Sequence, residues 1–306
     1  MAAFLDEKLE EAFEGETLAR IHEGCEEALR RPVTLRANAL KSDAASIAAC
    51  LDAAGIEYER VPWYEDAFVL LGARERDIRE LPVYEEGDVY LQSLSSMLPP
   101  LVLEPRPGAD VLDMCAAPGG KTSQIAALAG GKARITASEI NGPRAEKLSY
   151  NLRKLGVAGV NVMRTDARRL DEFFRFDQVL LDAPCTGSGT VRPGDEQSKR
   201  ITGALLDKTT RSQFKLLDRA LTVLKPQGTL VYSTCSILPE ENGRQVERAL
   251  AKHADCRIVP IESIGDMPIA QAPFETLPGG PEGTLTVCPS RLYEGFYIAR
   301  LKKAAR

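Results

Sequence analysis

The chain has 306 residues, 27% charged and 44% hydrophobic, with 24 Gly and 19 Pro. That is a globular composition with material for a sizeable core, and it excludes disorder, collagen and coiled coil. The formal net charge of -5 is unevenly spread: residues 1–87 hold 20 acidic and 10 basic side chains, and residues 88–306 hold 24 and 29. No apolar run reaches the roughly 18 residues of a membrane span, and Met1 to Glu10 lacks the apolar stretch of a leader, so a cytoplasmic protein without membrane attachment is expected.

In chain order, residues 4–30 predict a helical segment, with Phe4, Leu5, Leu9, Ala12, Phe13, Leu18, Ile21 and Leu29 on one face among many Glu. Pro32 and the β-rich Val33–Leu35 begin something new. Short apolar runs at 57–63 and 67–71 and an Ala-rich helical stretch at 43–54 predict a small α+β unit, which gives an N-terminal domain over 1–87. From residue 88 to 306 the pattern becomes short apolar strands, each followed by a helix. The strands are Val111–Asp113, Ile135–Ser138, Val160–Met163, Val179–Asp182 and Thr229–Tyr232, and the helices 119–130, 143–156, 208–224 and 240–253. Such alternation predicts βαβ crossovers and a doubly wound α/β sheet, whose ligands bind beyond the carboxyl ends of the strands.

The first of those ends is Asp113-Met114-Cys115-Ala116-Ala117-Pro118-Gly119-Gly120-Lys121-Thr122. Paired glycines permit a tight turn and close approach to a ligand, and the following helix offers free N–H groups, so a nucleoside cofactor is expected. Gly120-Lys121-Thr122 imitates a phosphate loop and Val179–Asp182 the metal-binding strand of an ATPase, which makes a P-loop NTPase a competitor. That motif needs Gly where Cys115 stands, and Pro118 lacks an N–H. Glu139 ends the second strand at a spacing suited to ribose hydroxyls, and Asp166 follows the third. Together the acids outline an adenosine site.

Two further ends carry thiols: Asp182-Ala183-Pro184-Cys185 and Ser233-Thr234-Cys235. A single cysteine is most often a small buried residue, but two at one sheet edge suggest nucleophilic chemistry, with Lys121 near enough to favour a thiolate. The seven cysteines contain no C-x-x-C pair, and only His22 and His253 are present, so no metal site and no disulfide framework is expected. Arg144, Lys147, Arg153, Lys154, Arg164, Arg168, Arg169 and Arg175 fall in one stretch; they could track a phosphate backbone, although charge alone favours solvated helix faces.

The segments Asp113–Thr122, Leu181–Gly189, Val231–Ser236 and Pro239-Glu240-Glu241-Asn242 together resemble the signatures of the Sun-type (Nol/Nop/Sun) RNA cytosine-5 methyltransferases. The resemblance extends to Arg36–Lys41, the Gln92 to Met97 segment and Tyr293–Tyr297, and so covers roughly residues 33–300. It implies a class I methyltransferase domain, a mixed seven-stranded sheet, behind a small N-terminal α+β domain that supports the fold or binds RNA. It also implies S-adenosylmethionine as cofactor, contacted by Cys115, Ala116, Ala117, Pro118, Gly119, Gly120, Lys121, Glu139, Asp166 and Asp182, with Arg144 a weaker candidate. Cys235 corresponds to the nucleophile and Cys185 to the thiol that releases product, with Asp182 and Lys121 in the catalytic core.

The activity so implied is transfer of methyl to C5 of a cytidine in structured RNA, ribosomal ahead of transfer RNA. A DNA cytosine methyltransferase and a non-catalytic ribosome-assembly factor that keeps the fold are the rivals. The segment Thr190–Glu196 departs from the usual Arg-rich spacing, and the chain stops at Arg306 without an added RNA-binding domain. A monomer is expected. RNA is expected over the basic portion, with Arg168 and Arg169 on phosphates and Arg36 and Lys41 at the edge. Residues 1–29, with 9 acidic and 2 basic side chains, are expected to serve as packing support or to dock a protein partner.

Overall fold

The computed structural model describes residues 3–305, so Met1, Ala2 and Arg306, at the outer limits of the two expected domains, lie outside the described residues. Two helices come first, α1 (Ala3–Ala12) and α2 (Gly15–Glu27). The single helical segment expected over 4–30 is broken because Gly15 turns the backbone into the left-handed region at φ 54°. Their apolar stripe of Leu5, Leu9, Phe13, Ile21 and Cys25 packs against Val191, Ile201, Leu206, Ile237, Leu238, Leu277 and Cys288. These helices therefore belong with the second part of the chain, which corrects the domain expected over 1–87.

The N-terminal unit proper runs β1 (Thr34–Ala37), α3 (Ala44–Ala53), β2 (Tyr58–Arg60), β3 (Ala67–Leu70), α4 (Glu75–Arg79), α5 (Pro82–Glu85) and β4 (Val89–Leu91). Asp43 caps α3, accepting from the Ser46 amide at 2.8 Å. The strands form an antiparallel sheet in the order β2-β3-β1-β4, over a core of Leu35, Ala37, Ile47, Leu51, Phe68, Leu70, Ile78 and Val89. Because Leu35 pairs with Leu91, the unit closes after residue 91 rather than at 87.

Helix α6 (Leu94–Leu103) leads into the large sheet, built from β5 (Asp110–Asp113), α7 (Gly120–Leu128), β6 (Arg134–Ser138), α8 (Gly142–Lys154), β7 (Asn161–Met163), β8 (Phe176–Asp182), α9 (Glu196–Arg200), α10 (Gly203–Val223), β9 (Leu224–Thr234), α11 (Gly243–Lys252), β10 (Cys256–Ile258), the small pair β11 (Ser263–Ile264) and β12 (Met267–Pro268), β13 (Leu285–Val287) and β14 (Phe296–Lys303). Strand order is β10-β14-β9-β8-β5-β6-β7. Strands β5 to β9 are mutually parallel, while β14 runs antiparallel between β9 and β10 and also pairs with β13. The mixed α/β architecture agrees with the class I expectation, with β13 as an eighth strand beside the seven.

Both faces of this sheet are covered, which is why its strands read as unbroken apolar runs. Along β8, Leu180 points to the side of α6, α7 and α8, where it joins Leu98, Ile125 and Leu148. Its neighbours Val179 and Leu181 point to the side of α10 and α11, where they join Leu217, Leu221 and Val246. The period of two thus divides one strand between two cores.

The N-terminal helices hold their place mainly by burial, with Arg20 paired to Glu275 at 2.6 Å and Glu27 accepting from the Arg291 amide at 3.0 Å on the exposed side. Leu9→Ala is expected to lower the unfolding free energy by about 2–5 kcal/mol, read as a shift in the urea midpoint at constant slope. A loss below about 1 kcal/mol would mean that α1 is not part of the cooperative fold.

Candidate active site

The carboxyl ends of β5 to β9 meet on one edge of the sheet. After Asp113 the chain turns through Cys115, Ala116, Ala117 and Pro118 into α7, whose N-cap Gly119 sits at φ 107°. A side chain there would be strained, and its Cβ would fall 2.9 Å from Leu148 Cδ1. Helix α8 fixes the loop from outside: Arg144 Nη2 donates to the Ala117 carbonyl at 2.9 Å, and Asn151 Nδ2 to that of Pro118 at 2.7 Å.

Lys121, in the first turn of α7, reaches across to β8. Its ammonium lies 2.9 Å from Asp182 Oδ2 and donates to Ser96 Oγ at 2.7 Å, while Ser233 Oγ donates to Asp182 Oδ1 at 2.8 Å. Burial pulls the ammonium toward neutrality, but the charge and hydrogen bond of Asp182 and the charge of Cys235 outweigh it and hold its pKa above the usual lysine value. With the ammonium committed sideways to a carboxylate and a hydroxyl, it is not poised over the N-terminus of α7 as a phosphate loop requires.

Two clefts flank the loop. One, of about 300 Å³, is lined by Cys115, Ala117, Glu139, Ile140, Arg144, Asp166, Asp182, Cys185 and Cys235. The other, of about 210 Å³, is lined by Gln92, Ser96, Asp113, Cys115, Ala116, Ala117, Pro118, Gly120, Lys121 and Asp182. Every expected site residue except Gly119, which shapes the turn, borders one cleft or both. Glu139 is only 3% exposed; it accepts from the Asn141 amide at 2.8 Å and lies 3.3 Å from Arg144. Asp166 is gripped on both oxygens by Arg168 at 2.8 Å, a hydrogen bond that draws its carboxyl below the usual range. Asp113 accepts from Thr122 Oγ1 at 2.7 Å through one oxygen, but its other oxygen is buried without a partner. Burial raises its pKa to about 6.

The thiols meet between the ends of β8 and β9, with Cys185 Sγ 3.2 Å from Cys235 Sγ. The hydrogen bond with Cys235, followed by burial, pushes the Cys185 thiol well above its ordinary pKa. The two thiols are within hydrogen-bond reach, and either sulfur can donate to the other. A buried polar lattice fixes both loops. Glu241, fully buried, accepts from the Thr186 amide at 2.9 Å, the Thr186 hydroxyl at 2.6 Å and Gln213 Nε2 at 3.0 Å. Gln213 also donates to the Pro184 carbonyl, and Thr234 Oγ1 donates to Asn242 Oδ1 at 2.6 Å. The Cys235 carbonyl accepts from the Gly189 amide at 3.0 Å. Among the described residues no cluster of three or more His, Cys, Asp or Glu is placed to hold a metal ion.

Sequence reasoning missed Glu241, Gln213, Ser96 and Ser233 as site residues. The signal for the first lay in Pro239–Asn242, noticed as a motif without a role. One expected RNA contact is corrected by the structure: Arg36 is wholly buried and cannot meet a phosphate, whereas Arg168 pairs with Asp166 at 2.8 Å and stays partly exposed.

A family model for the 16S rRNA methyltransferase RsmB/F matches residues 100–302. The chain is 35% identical over 288 residues to the ribosomal RNA small subunit methyltransferase F of Aeromonas salmonicida (strain A449), covering 91% of this chain and 59% of that protein. It is 36% identical to the protein of the same name from Klebsiella pneumoniae (strain 342), covering 92% and 59%. The chain thus spans a little under two thirds of these curated relatives. Among solved structures, NSun6 from Pyrococcus horikoshii with SFG superposes with a TM-score of 0.85 at 26% identity, covering 100% of this chain and 99% of that one. A methyltransferase homolog protein from the same organism gives 0.79 at 31% identity, covering 99% and 100%. On the matched span and these identities, the chain belongs to the 16S rRNA methyltransferase RsmB/F family, within the Sun-type class.

Proposed function

We propose that the protein methylates C5 of a cytidine in ribosomal RNA, with S-adenosylmethionine as the methyl donor. The observation that carries this reading is the pair of thiols 3.2 Å apart at the ends of β8 and β9, beside the Lys121–Asp182 ion pair. The donor fits the residues present. Asp113 offers a buried acceptor without a partner at the second cleft, suited to an ammonium or hydroxyl donor. Glu139 would accept from ribose hydroxyls and Asp166 from an adenine amino group, with the 115–121 loop beneath. When bound, the cofactor supplies an electrophilic methyl on a sulfonium.

The remaining chemistry belongs to the chain. C5 of cytosine is too weak a nucleophile by itself, so the Cys235 thiolate adds to C6 and places enamine electron density on C5. Asp182, fixed by Ser233, is suited to accept from the N4 amino group and, with a proton bound to it, to donate to N3, and Lys121 stabilises the charge that addition pushes onto the ring. Once Cys235 is tied up in a C–S bond, its hydrogen bond and charge no longer raise the Cys185 pKa, and burial and Glu241 are what remain to do so. Cys185 then gives its proton to solvent and takes the C5 proton as a thiolate, and breaking the C6–S bond restores the ring and the Cys235 thiolate. The base must leave its stack to reach these groups.

Cys235→Ala is expected to abolish methylation and the covalent enzyme–RNA adduct, and Cys185→Ala to accumulate that adduct on denaturing gels. An adduct that survives without Cys235 would reverse the two roles. Glu139→Ala should weaken cofactor binding by about 1–3 kcal/mol in calorimetry with the fold intact; unchanged affinity would remove Glu139 from the ribose site. For the RNA, Lys147 and Arg153 are exposed on α8, the helix that braces the loop. Reversing each to Glu should lower the slope of log affinity against log salt by roughly one unit per lost phosphate contact in filter binding, and an unchanged slope would place the RNA elsewhere.

A further inference from the structure

Arg36 lies on β1 of the N-terminal sheet and has no exposure to solvent. A buried guanidinium is costly to desolvate, and an apolar side chain of similar volume would serve packing as well or better. Its hydrogen bonds run toward the reaction site. Nε donates to Gln92 Oε1 at 3.1 Å and Nη2 to Ser123 Oγ at 2.8 Å. Gln92 Nε2 in turn donates to the Ser96 carbonyl at 3.2 Å and to Gln124 Oε1 at 3.0 Å. Ser123 Oγ donates to the carbonyl of Gly120, the residue before Lys121, at 2.9 Å. Both arms therefore converge on Lys121: one at the Gly120 carbonyl immediately before it, the other at Ser96, whose hydroxyl accepts from the Lys121 ammonium at 2.7 Å.

We propose that Arg36 is a positioning residue that holds Lys121 against Asp182 through Gln92, Ser96 and Ser123, so that the N-terminal unit sets the geometry of the reaction site without touching substrate. The inference rests on the reading of Lys121 as a member of that site. A lysine ammonium on its flexible four-carbon stem has no fixed direction of its own; Asp182 supplies the charge that attracts it, and Ser96 supplies the second point that fixes where it stops. Arg36 fixes Ser96 and the start of α7 relative to each other, since these segments carry the two ends of the Lys121 contact.

The test compares Arg36→Met, Ser96→Ala and the double variant of the full chain. The first readout does not depend on activity: acylation of Lys121 by a water-soluble amine reagent, mapped by peptide mass spectrometry against Lys225, which is paired with Asp110 and Asp177 at the opposite edge. Each single variant is expected to raise Lys121 labelling roughly tenfold relative to Lys225, the scale of one lost hydrogen bond to a charged group, and the double variant by less than the product of the two. In turnover, kcat should fall with KM for both substrates nearly unchanged. Gln92→Leu and Ser123→Ala, which cut the two arms separately, carry the same test if Arg36→Met does not fold. Unchanged Lys121 labelling in a folded variant, or effects of Arg36 and Ser96 that simply multiply, would overturn the proposal. If labelling responds as expected while the wild-type protein methylates no RNA, the positioning role stands and the methylation reading fails.

Discussion

The register between β8 and β9 is the constraint on which the site depends. Asp182 lies directly beside Ser233 in parallel pairing, so the two strands leave the sheet together, and the loops that follow bring Cys185 and Cys235 to 3.2 Å. A slip of one residue would turn Asp182 into one of the cores and separate the thiols. Strand β14, inserted antiparallel beside β9, secures the same edge from the other side. The Gly295 amide donates to the Gly189 carbonyl at 2.8 Å, and a Cβ on Gly189 would collide with the Gly295 carbonyl at 2.0 Å. That close approach seats the Cys185 loop against the loop preceding β14.

Electrostatics then divides the labour. Lys121 is the cation at the centre, shared between Asp182 and the field of Cys235, while Glu241 carries no cation partner in the ion pairs and takes three neutral donors instead. A carboxylate so satisfied can remain buried and still brace both thiol loops. The Cys185 thiol is pushed up first by its hydrogen bond with Cys235 and then by burial, so covalent use of one thiol changes the acidity of the other. The proposed cycle needs such coupling, because the second thiol has to act after the first.

Much of this was legible in the sequence, for physical reasons. Strands β5 and β8 and the second half of β9 are largely buried, and their apolar runs and the turn residues after them mark their positions, while the edge strand β7 has no fully buried residue. The residue types at the strand ends, acids then thiols, are the local signal from which a nucleoside site and a nucleophile are expected. Strand β14 is not among the expected strands although Phe296–Leu301 is a β-rich apolar run; its antiparallel insertion beside β9 joins segments distant in sequence. Helix α6 contains Pro99 and Pro100, which locally argue against a helix; nearly complete burial of the segment overrides them. Arg36 was misplaced for a similar reason: a cation in a motif reads as a surface contact, and only the packing of β1 against α7 reveals it as an internal one.

The proposed activity is addition of a methyl group to carbon 5 of a cytidine. The direct measurement is incubation of the purified protein with S-adenosylmethionine and unmodified small-subunit ribosomal RNA, followed by digestion to nucleosides and mass spectrometry against standards. 5-Methylcytidine is expected to appear, with no rise in any other methylated nucleoside. Methyl on another base or on a ribose oxygen, or none with a correctly folded protein and its natural RNA, would contradict it.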